Sequence, residues 1–341
     1  MRTADFEYSL PPELIAQEPV EPRDSSRLLV VDRLSGEITH HVFHDLPDYL
    51  ESGDCLVVNE TRVMPARLLG HRAVSGGAVE ILLIAPLPDG TWEAMVKPGR
   101  RLQPGARVEF DPPVLTAVIE GVLPEGRRSV RLEFTGDALD VIKQVGMVPL
   151  PPYIHQPLSD SERYQTVYSA RETSVAAPTA GLHFTPQLLE RIRQAGVELA
   201  AVDLTVGPGT FQPVRMNKVE DHIMHSEAFE LPAAAAGVIN RCRCAGGRVF
   251  AVGTTSARVL ESMAKADGTV RAGAGATDLF IYPGYKFRAV DSLVTNFHLP
   301  RSTLLMLVCA FAGRELIMKA YKEAVAERYR FYSFGDTMVI L

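Results

Sequence analysis

Cysteine, tryptophan and long apolar runs are all scarce in this chain, and each scarcity removes a class of protein. Its 341 residues include four cysteines and one tryptophan. Cys55, Cys242, Cys244 and Cys309 are scattered, and the only close pair is a C-x-C with no second pair and no histidine knuckle. That spacing predicts neither a structural zinc nor a disulfide framework. The longest apolar run, Leu304 to Gly313, is too short to cross a bilayer and predicts a buried helix. The opening MRTADFEYSLPPELIAQEP puts acidic residues and prolines where a secretory leader needs a basic start and an apolar block. No targeting segment, no membrane partner and a cytoplasmic location are therefore expected.

Basic charge is also in short supply. With 35 Lys and Arg against 41 Asp and Glu, the formal net charge of −6 is wrong for a protein that coats nucleic acid indiscriminately. Local clusters remain at Lys97, Arg100, Arg101 and Arg107, at Arg127, Arg128 and Arg131, and at Arg241, Arg243 and Arg248. The bland reading of each is a solvated face. The second cluster is the one expected to meet phosphates if RNA is bound. A Walker lysine and the spaced glycines of a dinucleotide fingerprint are both missing, so neither ATP nor NAD is indicated.

What is present is an ordinary globular composition, 46% hydrophobic and 22% charged, at a length comfortable for two domains. Early in the chain, RLLVVDRLSGEITHHVF predicts a hairpin around Ser35-Gly36, and residues 53–58 a short buried strand. Residues 66–149 then change texture to short β-prone runs broken by Gly and Pro, with no helical period, which predicts an inserted small all-β barrel domain. After a stiff Pro-rich linker at 149–153, strands and helices alternate: a helix opened by Thr185-Pro186 and closed at Gly196, a strand at 197–206, a helix at 233–240, a strand at 248–252 and a helix from about 257. Near the end, residues 277–313 predict strand, Pro283-Gly284 turn, strand at 290–297 and a helix capped by Ser302, followed by a terminal helix at 314–327. The expected fold is α/β: a barrel-type α/β catalytic domain formed by two segments, 1–65 and 150–341, around the insert.

Several polar groups stand at the expected strand ends, where α/β proteins place their ligands. Asn59, Thr61 and Arg62 follow an apolar strand directly, as a site or as a turn tied by side chains. Asn296, His298 and Arg301 are crowded between a buried strand and a buried helix. Gly253-Thr254-Thr255-Ser256-Ala257-Arg258 follows a strand and opens a helix, an arrangement that suits an anion but is also common without one. His183 sits just ahead of a Thr-Pro helix start, whose field disfavours the imidazolium and would keep the ring neutral, as a general base requires.

Taken together, the runs NETRVMPARL (59–68), APTAGLHFT (177–185), VGPGTFQPV (206–214), MHSE (224–227), VGTTSAR (252–258), TDLFIYPGY (277–285) and YRFYSFGD (329–336) resemble the S-adenosylmethionine:tRNA ribosyltransferase-isomerase family of queuosine biosynthesis across nearly the whole chain. Pro208 stiffens a turn where many relatives carry a less rigid residue. The resemblance implies a barrel-type α/β domain with an inserted β-barrel. It also implies transfer of the ribosyl part of S-adenosylmethionine to 7-aminomethyl-7-deazaguanine at the wobble position of a tRNA with a GUN anticodon. Isomerisation to epoxyqueuosine and release of adenine and methionine would complete the reaction, with no cofactor or metal beyond S-adenosylmethionine as co-substrate.

The sulfonium acidifies the C5′ protons, so a neutral histidine or a carboxylate can remove one, and adenine leaves more readily when an acid protonates it. The resemblance suggests His183, His298, Asp278 and Glu227 as catalytic residues. For substrate binding it suggests Asn59, Thr61, Arg62, Gly207, Gly209, Thr210, His225, Gly253, Thr254, Thr255, Ser256, Arg258, Tyr282, Asp291 and Asn296. Roles among Asp203, Glu227, Asp278, Asp291, His225 and His298 stay open. A transferase acting on a free nucleobase, or a non-catalytic RNA-binding protein, would share parts of this pattern. The latter should show stacking aromatics on the barrel, where Trp92 has few companions.

Overall fold

Strand Cys55–Asn59 is buried at every position, and the run CLVVN reads accordingly as a strand covered on both faces. In the computed structural model it pairs in parallel with Glu198–Leu204 on one side and Val249–Val252 on the other. All residues except 208–213 and 215 are described. Ser292–Asn296 continues the parallel set beyond Val249–Val252. Thr337–Ile340 then pairs antiparallel to Ser292–Asn296 and parallel to Arg27–Val31.

Among the described residues the sheet has nine strands and runs from edge strand Gly273–Thr277 to edge strand Ile38–Val42. The α/β class is as expected. The part expected to be barrel-type takes the form of a sheet whose pairing, among the described residues, ends at these two edges. Alternate positions of a strand share a face. Leu56, Val58, Phe250, Val252, Val294 and Val339 accordingly form one core with Phe43, Ala180, Phe184, Leu188 and Ile192.

The chain falls into two units, residues 1–62, 151–171 and 177–341 in one and 63–150 with 172–176 in the other. The second contains a closed six-stranded antiparallel barrel, Arg67–Arg72, Ala78–Pro86, Trp92–Lys97, Arg128–Phe134, Leu115–Val122 and Arg107–Glu109, completed when Arg107–Glu109 pairs back onto Arg67–Arg72. Its interior is filled by residues such as Leu68, Ile81, Leu83, Phe110, Ile119 and Val130. Gly70 is required where the closure is tightest, because a Cβ there would lie 2.5 Å from the Glu109 carbonyl oxygen.

Several elements differ from the sequence reading. The insert contains a helix, Ala138–Val145, capped by the Asp137 side chain and too short to show a clear period. The strand expected just before Pro283-Gly284 lies instead at Gly273–Thr277, whose GAGAT sequence has little β propensity and is held by pairing with Glu227–Leu231. Thr337–Ile340 is an unforeseen strand, recruited by neighbours distant in sequence. The helix expected from about 257 begins at Gly253, whose φ of +84° lets the chain turn directly from strand to helix. No helix among the described residues is long and apolar enough to cross a membrane.

The basic cluster expected to meet phosphates is engaged internally. Arg127 pairs with Glu93 and Glu125, and Arg131 with Glu120 and Glu133. Arg128 is buried, donating to the carbonyls of Gly99, Leu102 and Gly126. Its charge serves barrel packing.

Candidate functional site

The parallel register brings one set of strand ends together. Asn59, Val252 and Asn296 are the last residues of their strands, while Arg27 and Thr337 begin two others at the same end of the sheet. Ligands in open α/β sheets usually bind at this carboxyl end.

His183 lies there, in the tight turn Thr179–His183 that precedes helix Pro186–Gln194. Its Nδ1 is 2.7 Å from Ser26 Oγ, and its Nε2 is 3.1 Å from Asn296 Nδ2. Thr179 Oγ1 donates to Asn296 Oδ1 at 2.9 Å, which orients the amide so that Nδ2 faces the imidazole. An amide nitrogen can only donate, so Nε2 is the acceptor and Nδ1 carries the proton. The tautomer follows from the network. Burial, reinforced by Arg330 and Arg23, lowers the His183 pKa to about 3. The ring is therefore neutral, with burial and not the field of the helix terminus as the leading cause. A small cleft lined by Arg23, Arg163, Ser333 and Phe334 reaches it.

His298 is a second buried neutral imidazole, its pKa also lowered to about 3 by burial. Its Nε2 is 2.7 Å from Thr295 Oγ1, and its backbone N–H donates to the Tyr321 hydroxyl at 2.9 Å.

Glu227 and Arg258 form a buried ion pair. Glu227 Oε1 also accepts from the Gly207 backbone N–H at 3.0 Å, while Arg258 donates to the carbonyls of Leu279 and Thr277 at 3.1 and 3.3 Å. Glu227, suggested above as catalytic, is thus a saturated carboxylate that positions Gly207 and Arg258. Asn59 also acts as a clamp: Nδ2 donates to the Leu204 carbonyl, and Oδ1 accepts from the N–H groups of Thr61 and Leu204. Arg62 reaches Ser169 at 3.1 Å and pairs with Glu162.

On the helix opening, Ser256 turns its hydroxyl back to the Val252 carbonyl at 2.8 Å, whereas Thr255 Oγ1 is buried without a protein partner. Thr254 is buried on the same turn. Tyr168 OH and Thr166 Oγ1 are likewise buried and unpartnered, and a Cβ on Gly181 would lie 2.0 Å from Tyr168 OH. Sequence reasoning missed Ser26, Thr179, Thr166 and Tyr168. Only the long-range register shows that Ser26 and His183 meet across 157 residues.

Asp291 precedes strand Ser292–Asn296, at the opposite end of the sheet, accepting from Arg243 and from the Val249 N–H at 2.9 Å each. Asp278 and His225 are exposed, and Tyr282 is half-buried with its ring 5.0 Å from that of Phe280. Gly209 and Thr210 lie outside the described residues. Among the described residues, no group of three or more His, Cys, Asp or Glu side chains is placed to hold a metal ion.

The two buried histidines set a pH dependence. Each has a folded-state pKa near 3, below the 6.5 of an unfolded histidine, so unfolding takes up protons between those values. Their contribution to stability is complete above pH 6.5 and is lost as the pH falls toward 3, each steepening the slope by about 1.4 kcal/mol per pH unit. Denaturant unfolding from pH 7 to 4 should show a shallower slope for His298→Gln than for the parent. Equal slopes would contradict the assigned burial.

Comparison with known proteins places the chain. A family model described as queuosine biosynthesis protein matches residues 3–340. Two curated proteins named S-adenosylmethionine:tRNA ribosyltransferase-isomerase align with the whole chain over their own whole length, at 57% identity for that of Symbiobacterium thermophilum and 55% for that of Moorella thermoacetica. A crystal structure of the S-adenosylmethionine tRNA ribosyltransferase of Thermotoga maritima is 40% identical, with a TM-score of 0.57, over 99% of this chain and 100% of that one. With the family model matched across both units and relatives at this identity, the chain belongs to the queuosine biosynthesis protein family.

Proposed function

We propose that this protein transfers the ribosyl moiety of S-adenosylmethionine to 7-aminomethyl-7-deazaguanine at the tRNA wobble position and isomerises it, giving epoxyqueuosine, adenine and methionine. The observation that carries this reading is the end-to-end kinship with S-adenosylmethionine:tRNA ribosyltransferase-isomerases. The RNA partner is a tRNA with a GUN anticodon, and the protein works in the cytoplasm. The co-substrate sits in the α/β part, formed by 1–65 and 150–341, at the strand ends around His183, Asn296 and Gly253–Ser256; the barrel of 66–149 is an insert in that part.

His183 is the base in this reading. Its Nε2 lone pair faces the Asn296 amide, a partner that a C5′ hydrogen can replace, and the ring is neutral. Ser26 and Asn296 hold the ring in place through its two nitrogens. His298 is the second neutral imidazole within the same chemistry. Thr255 Oγ1, Tyr168 OH and Thr166 Oγ1 offer hydroxyls that a polar substrate can satisfy. Incubation with S-adenosylmethionine and tRNA bearing the aminomethyl base, followed by nucleoside mass analysis, tests the function. Epoxyqueuosine is the expected product, and an unchanged base in active buffer with folded protein would refute it.

A further inference from the structure

Five carboxylates are buried in the described structure: Asp54, Asp203, Glu227, Glu261 and Asp336. Four are saturated. Asp54 accepts from Arg248 and from the Glu51 N–H, and Glu261 accepts from Tyr285 and the N–H groups of Arg288, Ala289 and Val290. Asp336 accepts from the N–H groups of Arg27 and Arg330, and Glu227 is paired with Arg258. Asp203 is the exception: it is 6% exposed, and its Oδ2 is buried with no hydrogen-bond partner. Leaving a charged group so placed costs several kcal/mol unless something else meets it.

Its position points to what that is. Asp203 is the penultimate residue of strand Glu198–Leu204, at the carboxyl end, and shares a face with Leu199 and Ala201, which pack onto the core containing Ala180 and Phe184 beside His183. Around it are Glu60, Glu230 and Arg171, and Arg171 is already engaged by Glu230 and Glu60. Three carboxylates thus face one guanidinium, a local surplus of negative charge. No metal-holding group of side chains exists among the described residues, so a cation that forms hydrogen bonds is the fitting occupant.

We propose that Asp203 receives a primary ammonium group of a bound substrate. Two ammonium groups belong to the reaction proposed above, on which this inference rests: the α-ammonium of S-adenosylmethionine and the aminomethyl group of the modified base. Burial also raises the Asp203 pKa, so contact with an ammonium stabilises the charged form that burial disfavours.

The test is Asp203→Asn, which keeps shape and removes charge. Two affinities are measured by calorimetry: for S-adenosylmethionine, and for an anticodon stem-loop carrying either the aminomethyl base or guanine. Loss of a charge-assisted hydrogen bond is expected to weaken one arm by about ten- to a hundred-fold. Weaker S-adenosylmethionine binding identifies the α-ammonium, and loss of preference for the aminomethyl stem-loop identifies the base. The melting temperature should hold or rise, because an unpartnered buried charge has gone. Asp203→Ser, should the asparagine variant fold poorly, is expected to show the same selective loss. Affinities unchanged in both arms, or lost together with a lowered melting temperature in both variants, would overturn the proposal. Parent turnover is measured first: an inactive parent refutes the ribosyl-transfer reading, whereas an active parent with an unaffected variant refutes the role of Asp203 alone.

Discussion

His183→Gln is expected to slow ribosyl transfer by about 10²- to 10⁴-fold, the usual worth of a general base, while melting near the parent temperature. Glutamine can still bridge toward Ser26 and Asn296, the two partners of the ring, so the fold keeps its cross-link. It lacks a basic ring nitrogen to accept the C5′ proton. Deuterium exchange at C5′ of bound S-adenosylmethionine separates the step: the parent should exchange and the variant should not. A near-parental rate would move the base to His298 or an acidic residue and leave His183 as a buried clamp between Ser26 and Asn296.

Arg258→Met should cost about 3–5 kcal/mol of stability, because it strands Glu227 as an uncompensated buried charge. The carbonyls of Thr277 and Leu279 lose donors at the same time. The double variant with Glu227→Leu removes both charges and should regain most of that loss. Denaturant unfolding of the two single variants and the double variant closes the cycle. A loss under about 1 kcal/mol for Arg258→Met would mean that water reaches Glu227 and that the pair is not the anchor described.

Local signals carried much of this fold. The capped helix Thr303–Ala312, with Ser302 accepting from the Leu305 N–H and Gly313 at φ +86°, is written in neighbouring residues. So is the barrel, whose inward residues alternate along Ala78–Pro86. What escaped was non-local. Thr337–Ile340 becomes a strand because Leu293–Asn296 and Leu28–Val31 flank it, and Gly273–Thr277 because Glu227–Leu231 does. The site shows the same division. The types of His183, Asn296 and Arg258 were legible, but the saturation of Glu227 and the placement of Asp291 at the far end depend on register. The isolation of Asp203 depends on which neighbours already have partners.

The most direct measurement uses S-adenosylmethionine labelled with ¹³C throughout its ribose, supplied with tRNA bearing the aminomethyl base. The account predicts that the whole labelled five-carbon unit appears in the modified nucleoside, with one unlabelled adenine and one unlabelled methionine released for each nucleoside formed. Transfer of the methyl group, or label retained with adenine in S-adenosylhomocysteine, would contradict it.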